Sequence, residues 1–222
     1  MLSFFKAYKV FAIVFGIISI IIIALIYNTL NVYKPLPIYQ PAMVSTELVD
    51  STIQYQKKYH KIADFKLLNQ NGKIVTQNDY KDKIYVADFF FTTCQTICPI
   101  MTNHMVKIQK EILNDDEVML LSHSVTPEID SVAQLKRYAT KKSVNDKKWN
   151  LVTGDKKEIY KLARQSYLAV KENGDGGPYD MIHTENFMLI DKKRQIRGFY
   201  DGTNAEDISR LLNDISVLKE EK

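Results

Sequence analysis

Between Val10 and Tyr27 the chain reads VFAIVFGIISIIIIALIY, 18 residues without a charge. As a helix rising ~1.5 Å per residue, this run covers most of the ~30 Å apolar core of a bilayer. It divides the chain into an anchor and everything that follows. Cleavable signals have a shorter apolar region and a small-x-small site, and the NTLNVYKPLP that follows offers no such site. The expectation is therefore an uncleaved transmembrane helix over 10–27 behind a short head, residues 1–9. Lys6 and Lys9 lie on its N-terminal side and no acid occurs before Glu47. The positive-inside tendency then keeps the head in the cytoplasm and sends the rest to the periplasm or another extracytoplasmic space. The opposite orientation rests on Lys34 alone.

From Asn28 to about His60 the chain carries Pro35, Pro37 and Pro41 among many polar residues, which suits an extended tether. The remainder, 61–222, has the length of one domain. With 25% charged and 45% hydrophobic residues the chain is globular in composition rather than disordered. Its formal charge of +4 reflects 30 basic against 26 acidic residues. Setting aside Lys6, Lys9 and Lys34 leaves 27 against 26. The domain lacks the basic field that polyanion binding needs, so nucleic acid is excluded as a partner.

Within the domain, IADFKLLNQNGKIVTQND has two short apolar runs around Asn69 to Gly72, a hairpin signal. KIYVADFFF, Lys83 to Phe91, is aromatic and β-branched along most of its length, as in a strand buried on both faces. Met101, Met105, Ile108 and Ile112 recur at helical spacing. VMLLSHSV predicts a strand, Val132, Leu135, Tyr138 and Ala139 a helix, and WNLVTG another short strand. Asp155 and Glu158 form an N-terminal capping pair for a helix to about Tyr167. NFMLID and IRGFY make a last hairpin, and Ile208, Leu211, Leu212 and Ile215 mark a closing helix. Strands alternating with helices, then a hairpin and a helix, predict an α/β architecture: a mixed central sheet flanked by helices, in the order of a thioredoxin-like fold.

The only two cysteines, Cys94 and Cys98, fall in TTCQTICPIM, where a central strand gives way to a helix. Reactive groups gather at the carboxyl ends of strands in such sheets. All the cysteine in one five-residue window suggests a redox dithiol, half of a soft-metal site, or both; a local disulfide or two inert thiols is the plainer alternative. Pro99 suits the first helical position, which puts Cys98 at or next to the N-cap, where orphan N–H groups and the helix dipole favour a thiolate. Positions four apart can close a disulfide, and two thiolates suit Cu(I) but normally want a third ligand. Among the histidines, His60, His104 and His123 read most simply as surface or satisfied core residues. His183 differs, because it ends the irregular stretch KENGDGGPYDMIHTE at the loop expected to face the cysteines; position alone leaves its role open. Asp88, six residues before Cys94, is either a proton relay for the thiols or an acid at a strand edge with its head in water.

FFFTTCQTICPIM, SHSVTPEID and a late histidine before NFMLIDKKRQIRGFYDG together resemble the Sco/SenC family over about Ile62 to Leu218. The resemblance implies a membrane-anchored, thioredoxin-like copper protein that helps assemble the copper-A centre of cytochrome c oxidase. It implies Cys94, Cys98 and His183 as ligands for one copper ion, Cu(I) or Cu(II). The implied partners are the copper-A subunit of the oxidase and an upstream copper donor or thiol reductant. Two departures stand out: Gln95 replaces the proline usual after the first cysteine, and Ile182 replaces the acid usual before the histidine, leaving Asp180 as the nearest carboxylate. Two mechanisms remain open at this point. One is a metallochaperone; the other is a thiol-disulfide oxidoreductase whose redox-active pair, Cys94 and Cys98, reduces the cysteines of the copper acceptor. A peroxiredoxin-like peroxidase fits TTCQTIC less cleanly, and an inert binding module is the remaining class.

Overall fold

A computed structural model describes residues 8–30, 35–45, 49, 52–170, 177 and 180–221. The chain forms two compact units, Met1–Pro35 and Leu36–Lys222. In the first, α1 (Lys9–Leu30) is a single apolar helix. Its described side chains are apolar on every side and mostly exposed, for example Val10, Phe15, Ile20 and Ile23. It is long and apolar enough to cross a membrane. A helix without a polar face has no way to satisfy water on one side and a core on the other.

The second unit is built on a seven-stranded sheet. Its strands are β1 (Lys66–Asn69), β2 (Ile74–Thr76), β3 (Ile84–Phe90), β4 (Val118–Ser124), β5 (Trp149–Thr153), β6 (Asn186–Ile190) and β7 (Ile196–Asp201). They lie in the order β2-β1-β5-β4-β3-β6-β7. β3, β4 and β5 run parallel, while the β1–β2 and β6–β7 hairpins add antiparallel strands at either side. The helices are α2 (Ile97–Glu111), α3 (Val132–Lys141), α4 (Lys156–Lys161) and α5 (Ala205–Glu220). This is the thioredoxin-like arrangement that the order of elements predicts.

β3 is buried along its whole length, and its side chains alternate between two cores as the strand period requires. Tyr85, Ala87 and Phe89 join a cluster with Phe65, Leu67, Tyr160 and Tyr167. Ile84, Val86 and Phe90 join the cluster filled by Met101, Met105 and Ile108 of α2 and by Ile208 and Leu211 of α5. The apolar continuity of KIYVADFFF is thus the signature of a sheet covered on both faces.

Two local expectations are corrected. Asp155 does cap α4, accepting the N–H of Glu158 at 2.9 Å. The reciprocal half of the pair is missing, because the Glu158 carboxylate instead accepts the N–H of Lys66, 3.0 Å away, at the start of β1. The α-helix ends at Lys161, and the chain continues as a π-helical turn over Leu162–Ser166. Within the stretch read as a tether, residues 36–44 are fastened to the domain. Tyr39 donates its N–H to the Ile196 carbonyl of β7 at 2.8 Å, and buried Gln40 accepts the N–H of His60 at 2.9 Å.

Candidate metal centre

β3 delivers the chain to the thiols. After Phe90 a turn closes with the N–H of Cys94 on the Phe91 carbonyl, 3.3 Å. Thr96 is the N-cap of α2, so Cys98 is the second helical residue and Pro99 the third, two places later than the proline alone suggests. Asp130, in the segment that follows β4, secures this loop. Its fully buried carboxylate accepts from the Thr92 N–H (3.2 Å), the Thr92 hydroxyl, the Ser124 hydroxyl (2.7 Å) and the Thr126 hydroxyl (3.0 Å). Sequence reading passed over Asp130, although Ser124 and Thr126 at the end of an apolar strand mark a polar cluster there.

The sulfurs lie at the helix start in unlike surroundings. Both are free thiols. Cys98 is 3% exposed and packs into the α2 core. Burial, above all, pushes its pKa up to about 12, with smaller contributions from neighbouring Cys94 and Asp88. Cys94 is partly exposed. Desolvation opposes its ionisation, yet the Cys98 N–H at 3.4 Å and the Thr96 hydroxyl at 3.6 Å pull it down to about 7. The helix start therefore activates Cys94, not Cys98 as expected. The orphan N–H points back along the chain to the sulfur four residues earlier, while the Cys98 side chain turns into the core.

Asp88 is 2% exposed in the middle of β3, which excludes an edge acid with its head in water. It shares the face of Val86 and Phe90, toward α2 and Cys98. Its Oδ1 has no hydrogen-bond partner, and burial raises its pKa to about 7.

The histidines separate as well. His60 is buried with Nε2 2.7 Å from the Ser166 carbonyl, and burial lowers its pKa. His104 places Nδ1 2.7 Å from the Gly202 carbonyl. His123 is fully buried against Phe65, Phe89 and Tyr167, which depresses its pKa to about 4. None of the three joins the thiols in a group that could hold a metal ion. His183 lies exposed at the entry to β6. Since β6 runs antiparallel to β3, that entry stands at the same end of the sheet as the cysteine loop. Its ring meets Phe91 edge-on, centroids 5.8 Å apart. Among the described residues, no group of three or more His, Cys, Asp or Glu side chains is assembled to hold a metal ion. The fold brings Cys94 and Cys98 together and puts His183 at their end of the sheet, against Phe91, without closing a three-donor set among the described residues.

The SCO1/SenC family model matches residues 53–219. The SCO1 protein homolog of Bacillus subtilis is 32% identical over 158 residues, covering 70% of this chain and 81% of that protein. Among solved structures, BsSco, described as a member of the Sco family of cytochrome c oxidase assembly proteins with a disulfide switch, superposes with a TM-score of 0.63 at 30% identity, over 73% of this chain and 95% of that one. ScoI of Bradyrhizobium japonicum, solved with copper bound, superposes with a TM-score of 0.55 at 28% identity, over 70% of this chain and 99% of that one. With the paired thiols at the end of β3 and a family match over most of its length, this chain belongs to the SCO1/SenC family.

Proposed function

We propose that the chain is a membrane-anchored copper metallochaperone that carries one copper ion on Cys94, Cys98 and His183 to the copper-A subunit of cytochrome c oxidase. The observation that carries this reading is the thiol pair at the exit of β3, with Cys94 drawn down to about pKa 7. A sulfur that ionises at neutral pH is a ready ligand for a soft metal. The relatives that bind copper or serve in oxidase assembly support the same cargo and destination. Copper here is freight: the two thiolates suffice for Cu(I), and the His183 imidazole, turned from Phe91 toward the sulfurs, adds the nitrogen donor that Cu(II) prefers. α1 holds the domain at the membrane, with the head in the cytoplasm and the domain outside it.

The test is copper uptake by the full chain in detergent micelles, followed by a chelating wash and elemental analysis. Reduced protein is expected to retain one copper per chain, and protein oxidised to the Cys94–Cys98 disulfide none, since a disulfide offers no thiolate. Equal retention by both forms would remove the assigned ligands.

The unlike thiols favour one second reading, a thiol-disulfide oxidoreductase. An exposed, low-pKa Cys94 backed by a buried, protonated Cys98 is the disposition of an attacking and a resolving thiol. Under that reading the reduced chain keeps no metal after the wash, and cells carrying His183→Ala mature their oxidase normally.

A further inference from the structure

His183 is held between two buried residues, Ile182 at 2% and Thr184 at 7% exposure. What fixes the backbone on its N-terminal side is a polar cluster on α4 and the π-helical turn after it. The Tyr160 hydroxyl faces the carbonyls of Val125 and Asp180, 3.0 Å from each, and accepts the N–H of Ile182 at 3.4 Å. Arg164, in the π turn, stacks its guanidinium 5.4 Å from the Tyr160 ring centroid and sets Nη2 2.7 Å from the Asp180 carboxylate. Both partners of that ion pair are nearly buried, with side chains 8% and 11% exposed. Val125 sits between Ser124 and Thr126, whose hydroxyls, like that of Thr92, bind Asp130. One three-residue turn therefore frames both loops: the thiol loop through Asp130 and the histidine loop through Tyr160.

We propose that Tyr160, Arg164 and Asp180 form a positioning latch for His183, holding the backbone on its N-terminal side so that only the one exposed residue turns when the imidazole engages metal. The inference rests on His183 being a ligand. Its physical basis is preorganisation. Residues ordered before binding do not have to be ordered during it, and groups that orient a metal-binding histidine are typically worth about 10–100-fold in affinity. A buried ion pair also resists opening, because separating it strands a charge. The π turn interrupts the α-helical register of the segment that carries Arg164, and such turns recur at functional sites. The latch touches neither sulfur, so it acts on the metal that needs nitrogen and leaves thiol chemistry alone.

The experiment compares Arg164→Gln, Arg164→Lys, Tyr160→Phe and His183→Ala in the full chain in detergent micelles. Three quantities are read: Cu(II) affinity, Cu(I) affinity by chelator competition, and the Cys94–Cys98 reduction potential. Arg164→Gln and Tyr160→Phe should each weaken Cu(II) about 10–100-fold while leaving Cu(I) and the potential near those of the parent, and Arg164→Lys, which keeps the charge, should recover much of the loss. Parental Cu(II) affinity in both variants alongside a loss in His183→Ala would overturn the latch and leave the ligand standing. Parental Cu(II) affinity in His183→Ala would sink the ligand and the latch together. An equal fall in Cu(I) and Cu(II) would show a merely structural role and also overturn it. Should Arg164→Gln fail to fold, Tyr160→Phe, which keeps the ring and the ion pair, carries the test.

Discussion

At the scale of single residues, the two sulfurs are chemically distinct although only three residues separate them. Because the folded pKa of Cys94 lies below the ordinary thiol value, at about 7, its thiolate is already substantial at neutral pH. Alkylation of the reduced chain by iodoacetamide should rise about tenfold per pH unit up to pH 7 and level off above it, with Cys94 modified and Cys98 spared in peptide mass spectra. An inflection near pH 9, or Cys98 reacting first, would contradict the assignment. That the two cysteines stand together where a central strand gives way to a helix was legible from their sequence window alone. Which of them is activated was not, because the answer depends on α2 starting at Ile97 and on Cys98 pointing into the core. The place of Asp88 was half legible: the spacing marked it, and only its burial at the centre of β3 removed the strand-edge reading.

At the scale of elements, period and punctuation carried the reading of the hairpins, the parallel strands and the helices α2, α3 and α5. Contacts between distant segments did not show in the sequence. The fastening of the N-terminal segment is the main case. The Arg197 guanidinium of β7 meets Asp191 at 3.0 Å and Glu221, just beyond α5, at 2.6 Å. It also binds the carbonyls of Leu36 at 2.7 Å and Pro37 at 3.1 Å. Neither the proline-rich composition of the segment nor any periodicity announces this clasp, since Arg197 and Leu36 lie 161 positions apart. With Arg197 and Asp191 below a tenth exposed, removing the cation strands buried carboxylates. Arg197→Met should therefore cost about 3–5 kcal/mol in urea unfolding, and the region around Leu36 should become an early site of proteolysis. A loss below about 1 kcal/mol would show the clasp to be a surface ornament of the kind that contributes little.

At the scale of the whole molecule, the proposed function depends on the side of the membrane on which the thiols are displayed. Lys6 and Lys9 before the apolar run predict that a reporter fused after Lys222 is active only outside the cytoplasm; cytoplasmic activity would remove the proposed destination along with the orientation. Leu36 donates its N–H to the Glu221 carboxylate at 2.9 Å, so the first and last described residues of the globular unit lie side by side. They meet beside the junction of β6 and β7, which the antiparallel pairing of β6 with β3 sets at the beginning of β3, whereas the thiols and His183 stand beyond its end. The globular unit is thus polarised like a tool with a handle and a working tip: Leu36 and Glu221 are gripped together at one pole, and Cys94, Cys98 and His183 stand at the other.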